Sequence, residues 1–397
     1  MQRIGDEYGL GRTKRCTHVF VTVDRVFPTS HGQSEGNLTL THWTAHLTHE
    51  GGALSLQCVL HPIPGPNEIL IEVKAIAFSH IDYKQRDGGL NSTRYPTVLG
   101  SDVEGLVKQV GPVVQNRQQA APLAIGTRAL AFASASHKDG DPVYGAFQEL
   151  VLVSVDRVVP IPHNMIFEEG ASVPLSVLTA FTAWTAVGPD PLPPGCQQQP
   201  DCIRVGLLVQ QGRNLECHVY ATASPTHHEF LRSLGANAVF DYNDPDVVDQ
   251  IQKAARRDKP PIPWAHCLHE EGLGPVLAIL QHSRPVNVTA KCRVAHVPAL
   301  PSNYPTSERV KVRPASLPQD AADRDWHMHP CFQRYLKPSL EESLLVPSLR
   351  LKSAEYWTEL LEGMSVDQWR VIARTTLWLP TVRWIDWRAV SAAGSSL

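Results

Sequence analysis

The chain has 397 residues, which at roughly 150 residues per domain implies two or three domains rather than one. With 36 Lys and Arg against 39 Asp and Glu, the formal charge is -3, so no electrostatic footprint for nucleic acid or an anionic membrane surface is present. Hydrophobic content of 43% beside 19% charged residues excludes a disordered chain, and the 32 prolines cluster as linkers and loops.

Residues 1–40 match no recognisable pattern. Arg3, Arg12, Lys14 and Arg15 are offset by Asp6 and Glu7, which argues against an acid-poor transit peptide. Eight cysteines lack a CxxC pair and no signal peptide opens the chain, so reduced thiols in a cytoplasmic protein are expected. The sequons at Asn37, Asn91 and Asn287 then read as chance. Gly32, Ser34 and Gly36 spell G-x-S-x-G, but no strand runs into it and no helix follows, so a serine hydrolase is disfavoured.

From Thr41 to Leu60 short β-like stretches broken by Gly51 and Gly52 predict a hairpin leading into a strand. Glu68 to Phe78 alternates with the period of a half-buried strand. Val98 to Val110, Arg128 to Ala133 and Phe147 to Val153 add further strands, completing a β-rich domain that ends near Pro162.

Phe167 to Val187 is helical in pattern. The uncharged stretch Gly170 to Pro189 is too rich in Ser, Thr and Pro for a membrane span and predicts a buried helix. Pro189 to Pro200 is a loop. Cys217 to Ala223 reads as a buried strand, Ser224 and Pro225 as a helix start, and Gly235 as that helix's stop. Ala238 to Tyr242 is another strand, followed by the amphipathic Val247 to Arg256; strands alternating with helices indicate a parallel α/β sheet. His327 and His329, with no nearby acid or cysteine pattern, read as a solvated turn rather than metal ligands.

Four segments together resemble the medium-chain dehydrogenase/reductase superfamily, in its zinc-independent quinone reductase and trans-enoyl reductase branch. They are PGPNEILIEVKAIAFSHIDYKQRDG from Pro64, YPTVLGSDVEGLVKQVG from Tyr95, GAFQELVLV from Gly145 and ASVPLSVLTAFTAW from Ala171, with HVYATASPTHHEFLRSLGANAVFDYNDPD from His218 adding half of a nucleotide-binding unit. The resemblance spans about Trp43 to Trp369. It implies an α/β fold: a GroES-like β domain over 41–165, a Rossmann-type nucleotide-binding domain over 166–330, a return to the first domain over 331–369 and an unmatched tail over 370–397.

By the same resemblance, Ser79, His80, Ile81 and Asp82 occupy the turn beside the nicotinamide, and Thr179 lies near its ribose. A threonine satisfying a helix carbonyl is the alternative for Thr179. Ser224, Thr226, His227 and Tyr242 fall where the family holds the adenosine 2′-phosphate, and Gly206 at the end of its pyrophosphate loop. NAD sites usually place a carboxylate after the second strand; here Ala223 is followed by Ser224, Pro225, Thr226, His227 and His228, which favours NADP. Ser224 as a simple helix cap is compatible with that role. Gly100, Ser101 and Asp102 stand where zinc-dependent relatives carry Gly-His-Glu, so no metal is expected, and Cys58 and Asp102 read as a core thiol and a turn carboxylate.

Two departures stand out. Between Pro200 and Leu207 the family's apolar first strand and Gly-rich loop are missing, and only Val205 and Gly206 match the loop's end. Gly206 to Gln211 resembles the start of the following helix, while Ile203 to Val209 as a strand is the alternative. After Gly363 the usual final strand is replaced by Arg370 to Trp387, rich in Trp and basic residues. The implied activity is NADPH-dependent reduction of an enone, quinone or enoyl thioester, with Tyr83 as the hydroxyl available for proton delivery or else a packing aromatic. A non-catalytic scaffold beside a polyketide synthase is the alternative function, and a homodimer is left open.

Overall fold

The computed structural model describes residues 40–77, 79–92, 94–116, 123–187, 202–203, 207–214, 217–258, 262, 264–268, 270–283, 291–297, 300, 304, 307–345 and 381–382. The readings of the G-x-S-x-G motif, the sequons at Asn37 and Asn287, the loop from Pro189 to Pro200 and Gly206 therefore lie outside the described residues, as does most of the tail.

The first domain begins with an antiparallel hairpin, β1 (Thr41–Leu47) and β2 (Leu54–Leu60), in register from Thr41↔Leu60 to Leu47↔Leu54. The alternating segment forms β3 (Glu68–Ala77), whose inward Ile69, Ile71 and Val73 are buried. α1 (His80–Gly88) follows immediately. The stretch expected as one strand from Val98 to Val110 is two, β4 (Thr97–Val98) on the edge of β1 and β5 (Asp102–Val110) along β3. They separate at Gly100, whose φ of 92° suits glycine and brings the Phe147 ring against its α-carbon. After α2 (Pro112–Asn116), β6 (Arg128–Phe132), β7 (Leu150–Ser154) and β8 (Val158–Pro160) complete the sheet, β7 pairing with the start of β3.

The segment read as one helix is α3 (Phe167–Ala171) and α4 (Pro174–Val187). Pro174 has no N–H and disfavours helical backbone at the residue before it, so the chain breaks at Ser172 and Val173 and restarts. The segment Glu169–Val187 is long and apolar enough to cross a membrane by composition, but 72% of its apolar window is buried inside the protein, as a core helix would be. One side of α4, with Val177, Leu178 and Phe181, packs on Leu130 and Phe132; the other, with Ala180, Ala183 and Trp184, packs on the second sheet.

That second sheet is parallel throughout. It contains β9 (Cys202–Ile203), β10 (Val219–Thr222), β11 (Ala238–Phe240), β12 (Trp264–Cys267), β13 (Cys292–His296) and β14 (Val310–Pro314), in the order β11-β10-β9-β12-β13-β14. The expectation of a missing first strand is corrected here. Cys202 and Ile203 hold the central place, paired with Val219 and Tyr220 on one side and Trp264 and Ala265 on the other. These two are the residues of this strand that are described. α5 (Leu207–Asn214) follows it, which decides against a strand from Ile203 to Val209. α6 (His228–Ser233), α7 (Val247–Asp258) and α8 (Leu273–Gln281) cover the faces.

α9 (Ala321–His329), a π-helical stretch Pro330–Leu336 and α10 (Lys337–Glu341) then pack Met328, Phe332, Tyr335 and Leu336 against Leu130, Phe132 and Val159 of the first domain. Arg157 pairs with Asp325, and Gln333 Nε2 donates to the carbonyls of Asp156 and Val158 at 3.0 and 3.1 Å. His327 and His329 are thus helical, not a solvated turn: His327 Nε2 lies 3.0 Å from the Thr182 hydroxyl and His329 Nδ1 3.3 Å from Asp156. Within the tail read as unmatched, β15 (Thr381–Val382) pairs antiparallel with Ala77 and Ile76 at the end of β3.

Candidate functional site

The turn between β3 and α1 is built by a local cap. Ser79 is the N-cap with extended backbone (φ -126°, ψ 161°), and its N–H donates to Asp82 Oδ2 at 2.6 Å. This fixes Ser79, His80, Ile81 and Asp82 as one rigid first turn. Ile81 and Tyr83 are half-buried, whereas Asp82 is fully buried. Burial pushes the Asp82 carboxyl up to about 7, the Ser79 N–H opposing in part.

Asp102 opens β5 directly opposite Ala77, the last residue of β3. It is fully buried, not a turn carboxylate, and its Oδ1 accepts from the Leu175 N–H at 2.6 Å. That bond occupies one of the free donors in the first turn of α4. Burial raises the Asp102 carboxyl well above the usual range; the Leu175 N–H opposes and the Asp82 charge adds to the rise. Thr179 lies four residues beyond Leu175, hence on the same face of α4. Its side chain is half-buried and no helix carbonyl within the described residues accepts from it, unlike Thr185, whose hydroxyl donates to the Thr182 carbonyl at 2.9 Å.

A small depression of about 10 Å³, with room for about one water-sized molecule, lies beside α1. Gln85, Ser92, Thr97, Ser134 and Ser136 line it together with the backbone at Gly100, so its polar groups are an amide and hydroxyls without a charged side chain. Gln85 follows Asp82 by about one turn of α1, and none of Ser79 to Asp82 lines the depression.

The second set of expected residues gathers at the carboxyl edge of the parallel sheet, where ligands of open α/β sheets bind. The Ala223 N–H donates to the Phe240 carbonyl at 2.9 Å, which brings Ser224 and Tyr242 to the same edge. Ser224 Oγ and Thr226 Oγ1 lie 3.3 Å apart, and Tyr242 is 53% exposed. His227 is buried, so it stands apart from the outward hydroxyls. His228 turns back onto the strand, its Nε2 2.8 Å from the Ala223 carbonyl. Three outward hydroxyls with no acid between Ala223 and His228 fit the 2′-phosphate of a dinucleotide, and the unpartnered Thr179 hydroxyl with the capped turn fits its nicotinamide end. Gly206 is outside the described residues.

Cys58, expected in the core, is exposed on β2, because it faces outward opposite Trp43. Among the described residues no three His, Cys, Asp or Glu side chains converge as metal ligands, and no cysteine is in a disulfide. Sequence reasoning missed the role of Asp102, whose partner lies 73 residues away, and that of Glu104. Fully buried Glu104 meets Arg128 Nη2 at 3.3 Å, and that guanidinium lies over the Phe167 ring. Gly170 has no side chain because the Glu104 carboxylate fills the place of its β-carbon, so β5 and α3 approach closely.

Residues 65–163 match the alcohol dehydrogenase GroES-like domain. The chain is 41% identical over 316 residues to the trans-enoyl reductase tndF of Aspergillus flavipes, covering 77% of this chain and 89% of the relative. It is 40% identical over 287 residues to the trans-enoyl reductase tazE of Aspergillus terreus, covering 69% and 92%. Among solved structures, the CurK enoyl reductase superposes with a TM-score of 0.63 at 19% identity over 86% of this chain and 99% of that one. A mycobacterial protein solved in complex with NADPH superposes with a TM-score of 0.60 at 19% identity, again over 86% and 99%.

Proposed function

Because the chain belongs to the medium-chain dehydrogenase/reductase superfamily, in its enoyl reductase branch, and is an oxidoreductase, we propose that it reduces an activated carbon–carbon double bond with NADPH. The observation that carries the cofactor choice is the Ser224–Thr226 hydroxyl pair after β10, where no acid stands between Ala223 and His228. Hydroxyls donate to a phosphate, whereas a carboxylate there would repel it. When bound, the dinucleotide supplies a hydride for an electrophilic carbon.

The chain's own residues bind and orient. The Ser79–Asp82 turn, held by its own cap, and Thr179 form the walls against the nicotinamide end. Tyr83, in the helix that follows the turn, is the hydroxyl we assign to deliver the proton that completes the reduction. The substrate class is an enone, a quinone or an enoyl thioester, the last delivered by a polyketide synthase in the cytoplasm, and the assembly is a homodimer. The scaffold alternative rests on the missing Gly-rich loop, whose place at 204–206 lies outside the described residues.

Spectrophotometric NADPH oxidation over a panel of enones, quinones and enoyl thioesters tests the proposal. Turnover with an enone or enoyl thioester is expected, and a folded protein that turns over none of the panel would overturn it.

A further inference from the structure

Two buried carboxylates remain outside that account. Ser79 to Asp82 follows β3 directly, and Asp102 pairs with the end of the same strand, so both acids sit at one corner of the first domain. Each uses one oxygen on a backbone N–H, Asp82 Oδ2 on Ser79 and Asp102 Oδ1 on Leu175, both at 2.6 Å. The other oxygens, Asp82 Oδ1 and Asp102 Oδ2, are buried with no hydrogen-bond partner. An orphaned buried oxygen costs free energy, and two buried like charges cost more. One proton held between them removes both costs, the neutral acid donating to the anion.

The neighbouring charges are committed elsewhere. Glu104, on the same face of β5, is paired with Arg128 at 3.3 Å. Arg86 of α1 is paired with Asp87 at 2.6 Å, and Glu169 of α3 accepts from the Ile166 N–H at 3.1 Å.

We propose that Asp82 and Asp102 share a proton and act as positioning residues, locking the Ser79–Asp82 turn to the first turn of α4 so that both walls of the nicotinamide site move as one. Burial, which raises both carboxyls, agrees with one of the pair staying neutral near pH 7. The functional part rests on the nicotinamide reading above; the shared proton does not.

The experiment therefore has two arms. Infrared difference spectra of the full chain at neutral pH, wild type minus Asp102→Asn, should show a protonated carboxyl stretch that the variant lacks. If Asp102→Asn does not fold, Asp82→Asn supplies the difference. No such band in the wild type overturns the proposal, whatever the enzyme turns over. In kinetics, Asp102→Asn should stay within about threefold of wild type in kcat/KM, because an amide both donates to Asp82 and accepts from Leu175. Asp102→Ala should lose about tenfold or more in kcat. Equal losses in the two variants would mean that Asp102 only fills space and would overturn the positioning role.

Discussion

The two six-stranded sheets of this protein pair their strands very differently. In the first domain β3 and β5 run side by side over eight paired positions, from Ile69↔Val110 to Ala77↔Asp102. In the second, the central β9 contributes two residues to each neighbour. Yet Val219, Ala221 and Ala265 beside it are fully buried, because α4 and the flanking helices supply the packing. Burial around the centre of this sheet is thus spread over many side chains. Binding a pyrophosphate cannot be spread in this way: it needs particular N–H groups after that one strand.

The comparison is broken most forcefully by rebuilding β9. Replacing residues 201–206 with an apolar strand and a Gly-rich turn should restore two charge-assisted bonds, worth roughly 3 to 6 kcal/mol, or about 10² to 10⁴ in NADPH affinity. Titration calorimetry on the unaltered chain should give a dissociation constant near millimolar; about 10 μM or tighter would show that Cys202 to Gly212 already cradles the phosphates.

In the other sheet, Gly105→Ala should cost ~3 kcal/mol in urea unfolding, because its β-carbon would overlap the Glu72 carbonyl across the β3–β5 ladder. A cost under about 1 kcal/mol would show that the ladder yields where we expect it to be rigid.

pH separates two buried groups of the first domain by the sign of their effect. Asp82, raised from 3.8 to about 7, contributes stability that is fully present below pH 3.8 and lost as pH rises to about 7. His137 is lowered from 6.5 to about 3 by burial and then by the charges of Arg157 and Arg324, so its contribution is present above 6.5 and lost as pH falls to about 3. Measured as wild type minus variant, the stability difference for Asp82→Asn should shrink towards neutral pH and that for His137→Gln towards acid. Each slope is at most about 1.4 kcal/mol per pH unit. Parallel slopes would contradict the assignment.

The smallest effect is expected at the exposed end of the second sheet. Ser224→Asp should weaken NADPH by about tenfold while leaving NADH unchanged, since one fixed charge repels the 2′-phosphate across partly solvated space. Equal loss of both dinucleotides would remove Ser224 from the phosphate site.

The first domain was legible because its strands carry their own signal. β3 alternates, the β1–β2 hairpin turns at Gly51 and Gly52, and Gly235, with φ 109°, ends its helix as expected. The split at Pro174 was also written locally, since proline disfavours helix before it. So was the cap that makes His327 and His329 helical: Asp320 accepts from the N–H groups of Ala322 and Asp323 at 2.9 and 3.1 Å. By contrast, β9 is too short for any period to register, and only pairing on both sides identifies it. The meeting of Asp82 and Asp102 was equally hidden, because it depends on the β3–β5 register and on a bond to α4 that no local pattern encodes.

On the ribosome, the two halves of the cluster around Leu130 emerge far apart in time. Phe132 precedes Phe332, against which it packs, by 200 residues, and at roughly 5–20 residues per second that interval lasts about 10 to 40 s. Throughout it, the face of β6 and β8 that carries Leu130, Phe132 and Val159 has no α9 or α10 to cover it. The chain's order thus builds in a window of exposed apolar surface, during which the first domain is open to association.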